Sequence, residues 1–77
     1  MELENYSGFS SGGGVTGYKF LREGLILQFK SGDLYLYDYK KPGKYHIEIM
    51  KTLAKQGKGL TTYVNQNVRE NYKEKLN

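Results

Sequence analysis

A hairpin signal near the middle of the chain limits its fold more than any other feature. Residues 29–37, FKSGDLYLY, place a Ser-Gly pair between two runs of apolar and aromatic residues. Such runs predict two antiparallel strands joined by a tight turn. A further strand-like run, residues 15–21, precedes the turn signal Glu23-Gly24. The sequence therefore predicts a three-stranded antiparallel β-meander.

The Ser-Gly turn allows two registers for this hairpin. A two-residue loop sets Phe29 opposite Leu34 and turns the tyrosines of residues 35–37 to the opposite face. A three-residue loop sets Phe29 opposite Asp33 and requires a left-handed conformation at Gly32. We favour the second register, because glycine adopts that conformation without strain. The predicted core face then consists of Leu25, Leu27, Phe29, Tyr35 and Tyr37.

Helical periodicity follows the hairpin. Pro42-Gly43 interrupts the extended pattern, because proline cannot donate to a sheet ladder. Residues 44–56 then predict an amphipathic helix that stops at Gly57 or Gly59. Its predicted apolar side consists of His46, Ile49, Met50 and Leu53, with Ile47 and Ala54 at the borders.

A second helix is predicted over residues 61–75, with Thr61 or Thr62 as its N-cap. Apolar residues recur there at every fourth position and predict a buried stripe. The stripe consists of Leu60, Val64, Val68, Tyr72 and Leu76. The predicted fold class is therefore α+β, with a three-stranded antiparallel β-meander followed by two α-helices.

Length and N-terminal composition indicate one small domain with an extension. A chain of 77 residues forms a single domain. Residues 7–14 are mostly Gly and Ser, which predicts a flexible segment over residues 1–14 and a folded domain over residues 15–77. The N-terminal residues lack the pattern of a signal peptide, and the longest apolar run, residues 25–27, is too short to span a bilayer. We expect a cytoplasmic protein without membrane contact.

Positive charge is concentrated in one part of the chain. The formal net charge is +4, and residues 40–58 contain six lysines and one acidic residue, Glu48. On the first predicted helix, four of these lysines cluster almost opposite the predicted apolar side. This ridge consists of Lys44, Lys51, Lys55 and Lys58, and Lys40 and Lys41 extend it toward the hairpin. A localised basic surface is typical of proteins that bind an anionic partner, although a solvated helix face has the same pattern.

Catalytic patterns are missing from the sequence. There is no cysteine, and the single histidine, His46, lies near the apolar side of its helix. Gly12-Gly13-Gly14 is not a phosphate-binding loop, because no Gly-Lys-Ser/Thr follows it. We therefore expect no enzyme activity, no metal site and no cofactor.

The assembled motifs resemble the KTSC domain, a family named after the C-terminal segment of some lysyl-tRNA synthetases. The family pattern is a strand ending in Phe, a Ser-Gly turn, a Tyr-x-Tyr strand, a helix, and a Lys-Gly step before Arg-x-x-Tyr. The resemblance spans residues 15–72 and departs from the pattern at Lys41-Pro42, where a Val-Pro-like step is usual. The residues that carry it are Phe29, Ser31, Gly32, Tyr35, Tyr37, Lys58, Gly59, Arg69 and Tyr72.

The resemblance implies a bacterial or phage protein with an RNA-binding role. We expect most motif residues to serve the fold, namely Phe29, Ser31, Gly32, Tyr35, Tyr37, Gly59 and Tyr72. The predicted function is a small non-catalytic module that binds RNA or another nucleic acid. The alternative is a protein-interaction module, present as a monomer or a weak homo-oligomer. The nucleic-acid contacts are expected from Lys40, Lys41, Lys44, Lys51, Lys55, Lys58 and Arg69.

Overall fold

A single antiparallel sheet with helices against one face forms the fold. The computed structural model describes residues 1–8 and 14–77. The five strands lie in the sheet in the order in which they occur along the chain. They are β1 (Glu4–Asn5), β2 (Val15–Leu21), β3 (Gly24–Phe29), β4 (Leu34–Asp38) and β5 (Glu74–Lys75). The helices are α1 (Lys44–Gln56) and α2 (Leu60–Tyr63), and α2 continues as a π-helical turn, Val64–Val68. The predicted α+β class is confirmed, with two strands more than predicted in the described part of the chain.

The β3–β4 hairpin has the register that we favoured. Leu27 lies opposite Tyr35, and the Phe29 amide donates to the Asp33 carbonyl at 3.0 Å. Gly32 has a φ of 94°, in the region that favours glycine, and its amide donates to the Phe29 carbonyl at 2.8 Å. The three-residue loop is therefore confirmed, and it turns the tyrosines of β4 toward the helices.

The core lies between that face of the sheet and the helices. A bulge in β2 shifts the register between Val15 and Gly17, which brings Val15 into the core. Tyr37 is 0% exposed, whereas Phe29 and Tyr35 are half-buried. The core consists of Tyr6, Val15, Leu25, Leu27, Tyr37, Ile47, Met50, Ala54, Leu60, Val64 and Val68.

Helix α1 has the predicted bounds but a different orientation. It ends at Gly57, which has the left-handed conformation of a helix C-cap. Its buried residues are Ile47, Met50 and Ala54. Of the predicted stripe only Met50 is buried, and His46, Ile49 and Leu53 are half-buried. The difference arises because α1 packs on the sheet and also on α2. The side that carries His46 and Leu53 is the side next to α2.

The prediction of the second helix is wrong beyond Val68. Gly59, not a threonine, is the N-cap of α2, and the Thr61 hydroxyl instead accepts a hydrogen bond from the Val15 amide at 3.1 Å. After the π-helical turn the chain becomes extended and forms β5 along the free edge of β4. The amides of residues 73 and 76 donate to β4 carbonyls at 2.7 and 2.8 Å. Pairing with this edge satisfies backbone groups that would otherwise stay open, and it overrides the four-residue periodicity.

Part of the predicted flexible segment, residues 1–14, belongs to the fold. Strand β1 pairs with β2, and the Tyr6 side chain is 3% exposed. The Tyr6 hydroxyl accepts a hydrogen bond from the Leu60 amide at 2.9 Å, at the beginning of α2. Residues 9–13 of the same segment lie outside the described residues. No helix in the described ranges has the length and apolar character needed to cross a membrane.

Replacing Tyr6 by Phe tests this N-terminal contact. The change leaves the buried Leu60 amide without its acceptor, so we expect the free energy of unfolding to fall by about 1–3 kcal/mol in urea denaturation. Tyr45→Phe is the matched control, because that ring is 74% exposed, and it should stay within about 0.5 kcal/mol of the wild type. Equal stability of Tyr6→Phe and the wild type would contradict docking through this contact.

Candidate functional site

A tight turn after β4 presents the first two lysines of the predicted ridge. The Asp38 carboxylate accepts hydrogen bonds from the amides of Lys40 and Lys41, both at 2.9 Å. Aspartate commonly stabilises turns in this way. The Asp38 carbonyl also accepts from the Gly43 amide at 3.1 Å, just before α1 begins. Both lysine side chains are exposed as a result.

Three lysines of α1 extend over aromatic rings of the sheet and the turn. The Lys44 ammonium lies 5.7 Å from the centre of the Tyr39 ring. The ammonium groups of Lys51 and Lys55 lie 5.8 and 5.6 Å from the centre of the Phe20 ring. These distances suit cation–π attraction, and the lysine stems cover apolar ring surface while their charged ends stay near water.

Lys51 differs from its neighbours because it is bound within the protein. Its ammonium donates to the Leu21 carbonyl at 2.7 Å and to the Arg22 carbonyl at 3.4 Å. It therefore ties α1 to the end of β2 and has fewer donors left for a partner. The exposed lysines of this region form what we call the lysine flank, which consists of Lys40, Lys41, Lys44, Lys55 and Lys58.

The lysines lie beside the buried stripe of α1 and not opposite it. At about 100° per residue, Lys44 and Lys55 lie about 90° around the helix axis from the buried stripe. The side that points away from the core instead carries Tyr45 and Thr52, both exposed. The predicted position of the ridge, opposite the apolar side, is wrong because the buried stripe consists of Ile47, Met50 and Ala54. A lateral position explains how the lysine stems reach the rings of the sheet.

Arg69, the remaining predicted contact, lies apart from the lysine flank. It lies where the π-helical turn ends, next to the hairpin tip. There it borders a groove of about 540 Å³, which we call the aromatic groove. The groove is lined by Gly14, Phe29, Ser31, Asp33, Tyr35, Asn65, Arg69, Glu70 and Tyr72. Five residues that carry the family resemblance, distant in sequence, thus meet at one surface.

Three rings form the wall of the aromatic groove. The rings of Phe29 and Tyr35 meet edge-on with centres 5.6 Å apart, and the rings of Tyr35 and Tyr72 are 4.5 Å apart at 39°. Tyr72 also meets the buried Tyr37 edge-on at 6.4 Å. Such contacts add stability beyond buried area, so the three rings stabilise one another within the fold. The sequence predicts a structural role for all three rings, and only the structure places Tyr72 beside the hairpin.

The C-terminal residues hold the hairpin tip next to the groove. The Asn77 side chain accepts from the Leu34 amide at 2.9 Å and donates to the Gly32 carbonyl at 3.0 Å. The ammonium of Lys75 lies 3.6 Å from the carboxylate of Asp33. These contacts connect the C-terminal residues to the polar end of the groove.

Tyr37 supports the groove from below. Its hydroxyl donates to the Arg69 carbonyl at 3.2 Å and so connects β4 to the end of the π-helical turn. Burial, followed by the nearby Tyr35 and Tyr72, raises the pKa of Tyr37 far above its ordinary value of 10.0. The folded protein therefore keeps the hydroxyl proton of Tyr37 at a pH where the unfolded chain releases it.

His46 lies at the junction of α1 and α2. Its Nδ1 is 2.6 Å from the hydroxyl of Tyr63, and the two rings lie 5.8 Å apart. Burial raises the pKa of that tyrosine. Residues 1–8 and 14–77 contain no group of three side chains that could hold a metal ion. His46 is thus held at this junction by its contact with Tyr63.

Comparisons with known protein families, with curated proteins and with solved structures found no match to this chain. The KTSC resemblance therefore stays a prediction that rests on the motif residues themselves.

The raised pKa of Tyr37 predicts that the protein loses stability in alkaline solution. Because the unfolded chain loses this proton first, the free energy of unfolding should fall as pH rises above about 10. We expect Tyr37→Phe to be about 1 kcal/mol less stable near neutral pH, since it loses one hydrogen bond. Between about pH 9 and pH 11, its urea midpoint should then fall less steeply than that of the wild type. Parallel curves for the two proteins would contradict the assignment, and Tyr45→Phe is the control.

Proposed function

We propose that this domain is a small non-catalytic module that binds nucleic acid through the lysine flank. The observation that supports it best is the local excess of exposed ammonium groups on one side of α1. None of the five flank lysines forms an ion pair with a carboxylate of the described residues. Unpaired cations at a surface attract phosphate groups and release the counterions bound to them.

The spacing of the flank suits a phosphate backbone. Lys44 and Lys55 are separated by about 16 Å along the helix, at about 1.5 Å per residue. This length corresponds to about five phosphates of one duplex strand, at about 3.4 Å per phosphate. Lys40 and Lys41 extend the surface beyond the beginning of α1, and Lys58 extends it beyond the end. Four or five phosphate contacts would support salt-sensitive binding without sequence specificity.

The finer parts of the proposal rest on the sequence alone. RNA is favoured over DNA because of the KTSC resemblance, and so is a bacterial or phage source. A cytoplasmic location is part of the same proposal. The non-catalytic part rests on the residue content, which includes no cysteine and a single histidine.

A double charge reversal tests the lysine flank. Lys55→Glu/Lys58→Glu removes two exposed ammonium groups and spares Lys51, which holds α1 to β2. We expect binding of labelled single-stranded RNA at low salt to weaken at least about tenfold. The slope of log K against log salt should fall by about 1.4, because each phosphate contact on a single strand contributes about 0.7.

A control variant separates this surface from net charge. Lys30→Glu/Lys73→Glu changes the formal charge equally. Residue 30 lies at the hairpin tip and residue 73 precedes β5, whereas Lys55 lies over Phe20 at the other end of β2. The control should keep most of the affinity and the full salt slope. Equal losses in the two variants, or no binding of the wild type to single- or double-stranded RNA at low salt, would refute the proposal.

The sheet face away from the helices supports the alternative function, a protein-interaction module. Ile26 is 7% exposed there, and Leu21, Leu34 and Leu36 are half-buried around it. Both edge strands are only two residues long, so this face offers more surface for self-association than the edges do. A concentration-dependent dimer in sedimentation, together with no RNA binding at low salt, would favour this alternative.

A further inference from the structure

The aromatic groove is a concave surface with a chemistry different from that of the lysine flank. It lies at the hairpin end of β3 and β4, whereas Lys51 and Lys55 lie over Phe20 of β2. Its volume of about 540 Å³ lies within the range of roughly 300–1,000 Å³ that small-ligand sites have. A single nucleotide is of the size that such a space accepts.

The wall of the groove offers aromatic surface that is only partly used by the fold. Phe29, Tyr35 and Tyr72 are all half-buried, so each ring has surface left for a ligand. Their mutual contacts fix the rings before any ligand binds. A preformed wall of this kind favours a planar ligand, because little side-chain entropy is lost when the ligand stacks.

Polar groups of both kinds surround the aromatic wall. Asn65 can donate and accept through its amide, Arg69 can donate, and Glu70 can accept, and all three are exposed at the groove. No partner for these three side chains is found among the described residues. The groove therefore suits a ligand whose edge carries donors and acceptors side by side.

The charge balance of the groove gives no net attraction for a strongly charged ligand. The carboxylate of Asp33 is already offset by Lys75 at 3.6 Å and accepts from the Ser31 hydroxyl at 3.0 Å. This leaves one guanidinium, that of Arg69, and one carboxylate, that of Glu70. For a cation the attraction of the carboxylate is offset by the guanidinium, and for a phosphate the attraction of the guanidinium is offset by the carboxylate. A neutral, planar, polar ring meets neither penalty.

We infer that the aromatic groove binds one unpaired nucleobase of a single-stranded nucleic acid. The base stacks on the wall of Phe29, Tyr35 and Tyr72, and its edge contacts Asn65, Arg69 and Glu70. Proteins that recognise unpaired bases combine aromatic stacking with hydrogen bonds to the base edge in this way. The inference rests on the proposed function, which supplies the strand, and adds a base-dependent contact to the salt-dependent one.

An abasic oligonucleotide separates the two contacts. It keeps the phosphates and sugars of a single strand but has no bases, so it can bind the lysine flank and cannot fill the groove. We expect the wild type to bind the base-containing strand about tenfold more tightly than the abasic strand of the same length. Equal affinity for the two strands would overturn the inference and leave the lysine flank standing.

Tyr72→Leu removes one ring of the wall and keeps an apolar side chain. It should weaken binding of the base-containing strand about tenfold, with no change for the abasic strand and no change in the salt slope. Tyr45→Leu is the matched variant, since that exposed ring lies beside Lys44 on α1. Loss of base-dependent binding in Tyr45→Leu, with none in Tyr72→Leu, would place the base on α1 and overturn the inference.

A second pair of variants avoids the risk that Tyr72→Leu fails to fold. Asn65 and Gln66 are neighbouring exposed amides, and only Asn65 lines the groove. Asn65→Ala should reduce the preference for the base-containing strand at least threefold, and Gln66→Ala should not change it. Equal behaviour of the two variants would overturn the inference. A wild type that binds neither strand at low salt would refute the proposed function and this inference together.

Discussion

The left-handed turn at Gly32 is the constraint on which the rest of the structure depends. It sets Leu27 opposite Tyr35, and a shift by one residue would turn every β4 side chain to the other face. In the observed register Tyr37 enters the core, while Tyr35 lies at its rim. The turn at Gly32 is therefore the local cause of three features, namely the core, the support of the π-helical turn and the aromatic wall.

The two candidate surfaces both arise because the core of a small domain leaves aromatic rings at its margin partly exposed. A chain of 77 residues has a small core, so rings at its margin remain half-covered. On one side, the stems of Lys51 and Lys55 cover Phe20, and their charges gather beside it. On the other side, Tyr72 covers part of Tyr35 and leaves a groove with almost balanced charge. One margin thus suits phosphates and the other suits a neutral ring.

Sequence patterns predicted the elements whose causes are local. The bounds of α1 follow from Pro42-Gly43 and Gly57, and the hairpin register follows from Gly32. The edge strands β1 and β5 could not be predicted, because two residues carry no periodicity and their hydrogen bonds join distant parts of the chain. The same reason explains the buried stripe of α1. Which side of α1 is buried depends on where α2 packs, and no pattern within the helix contains that information.

The sequence by itself determined the α+β class, the hairpin register, the extent of α1 and the concentration of lysines in residues 40–58. Each of these depends on backbone preference or charge over a short stretch. Only the tertiary structure decided that Lys51 is bound internally and that Tyr72 lies beside Tyr35. The aromatic groove joins residues from Gly14 to Tyr72, and its shape comes from packing between elements. Packing of that kind depends on the relative positions of whole elements, which no local pattern specifies.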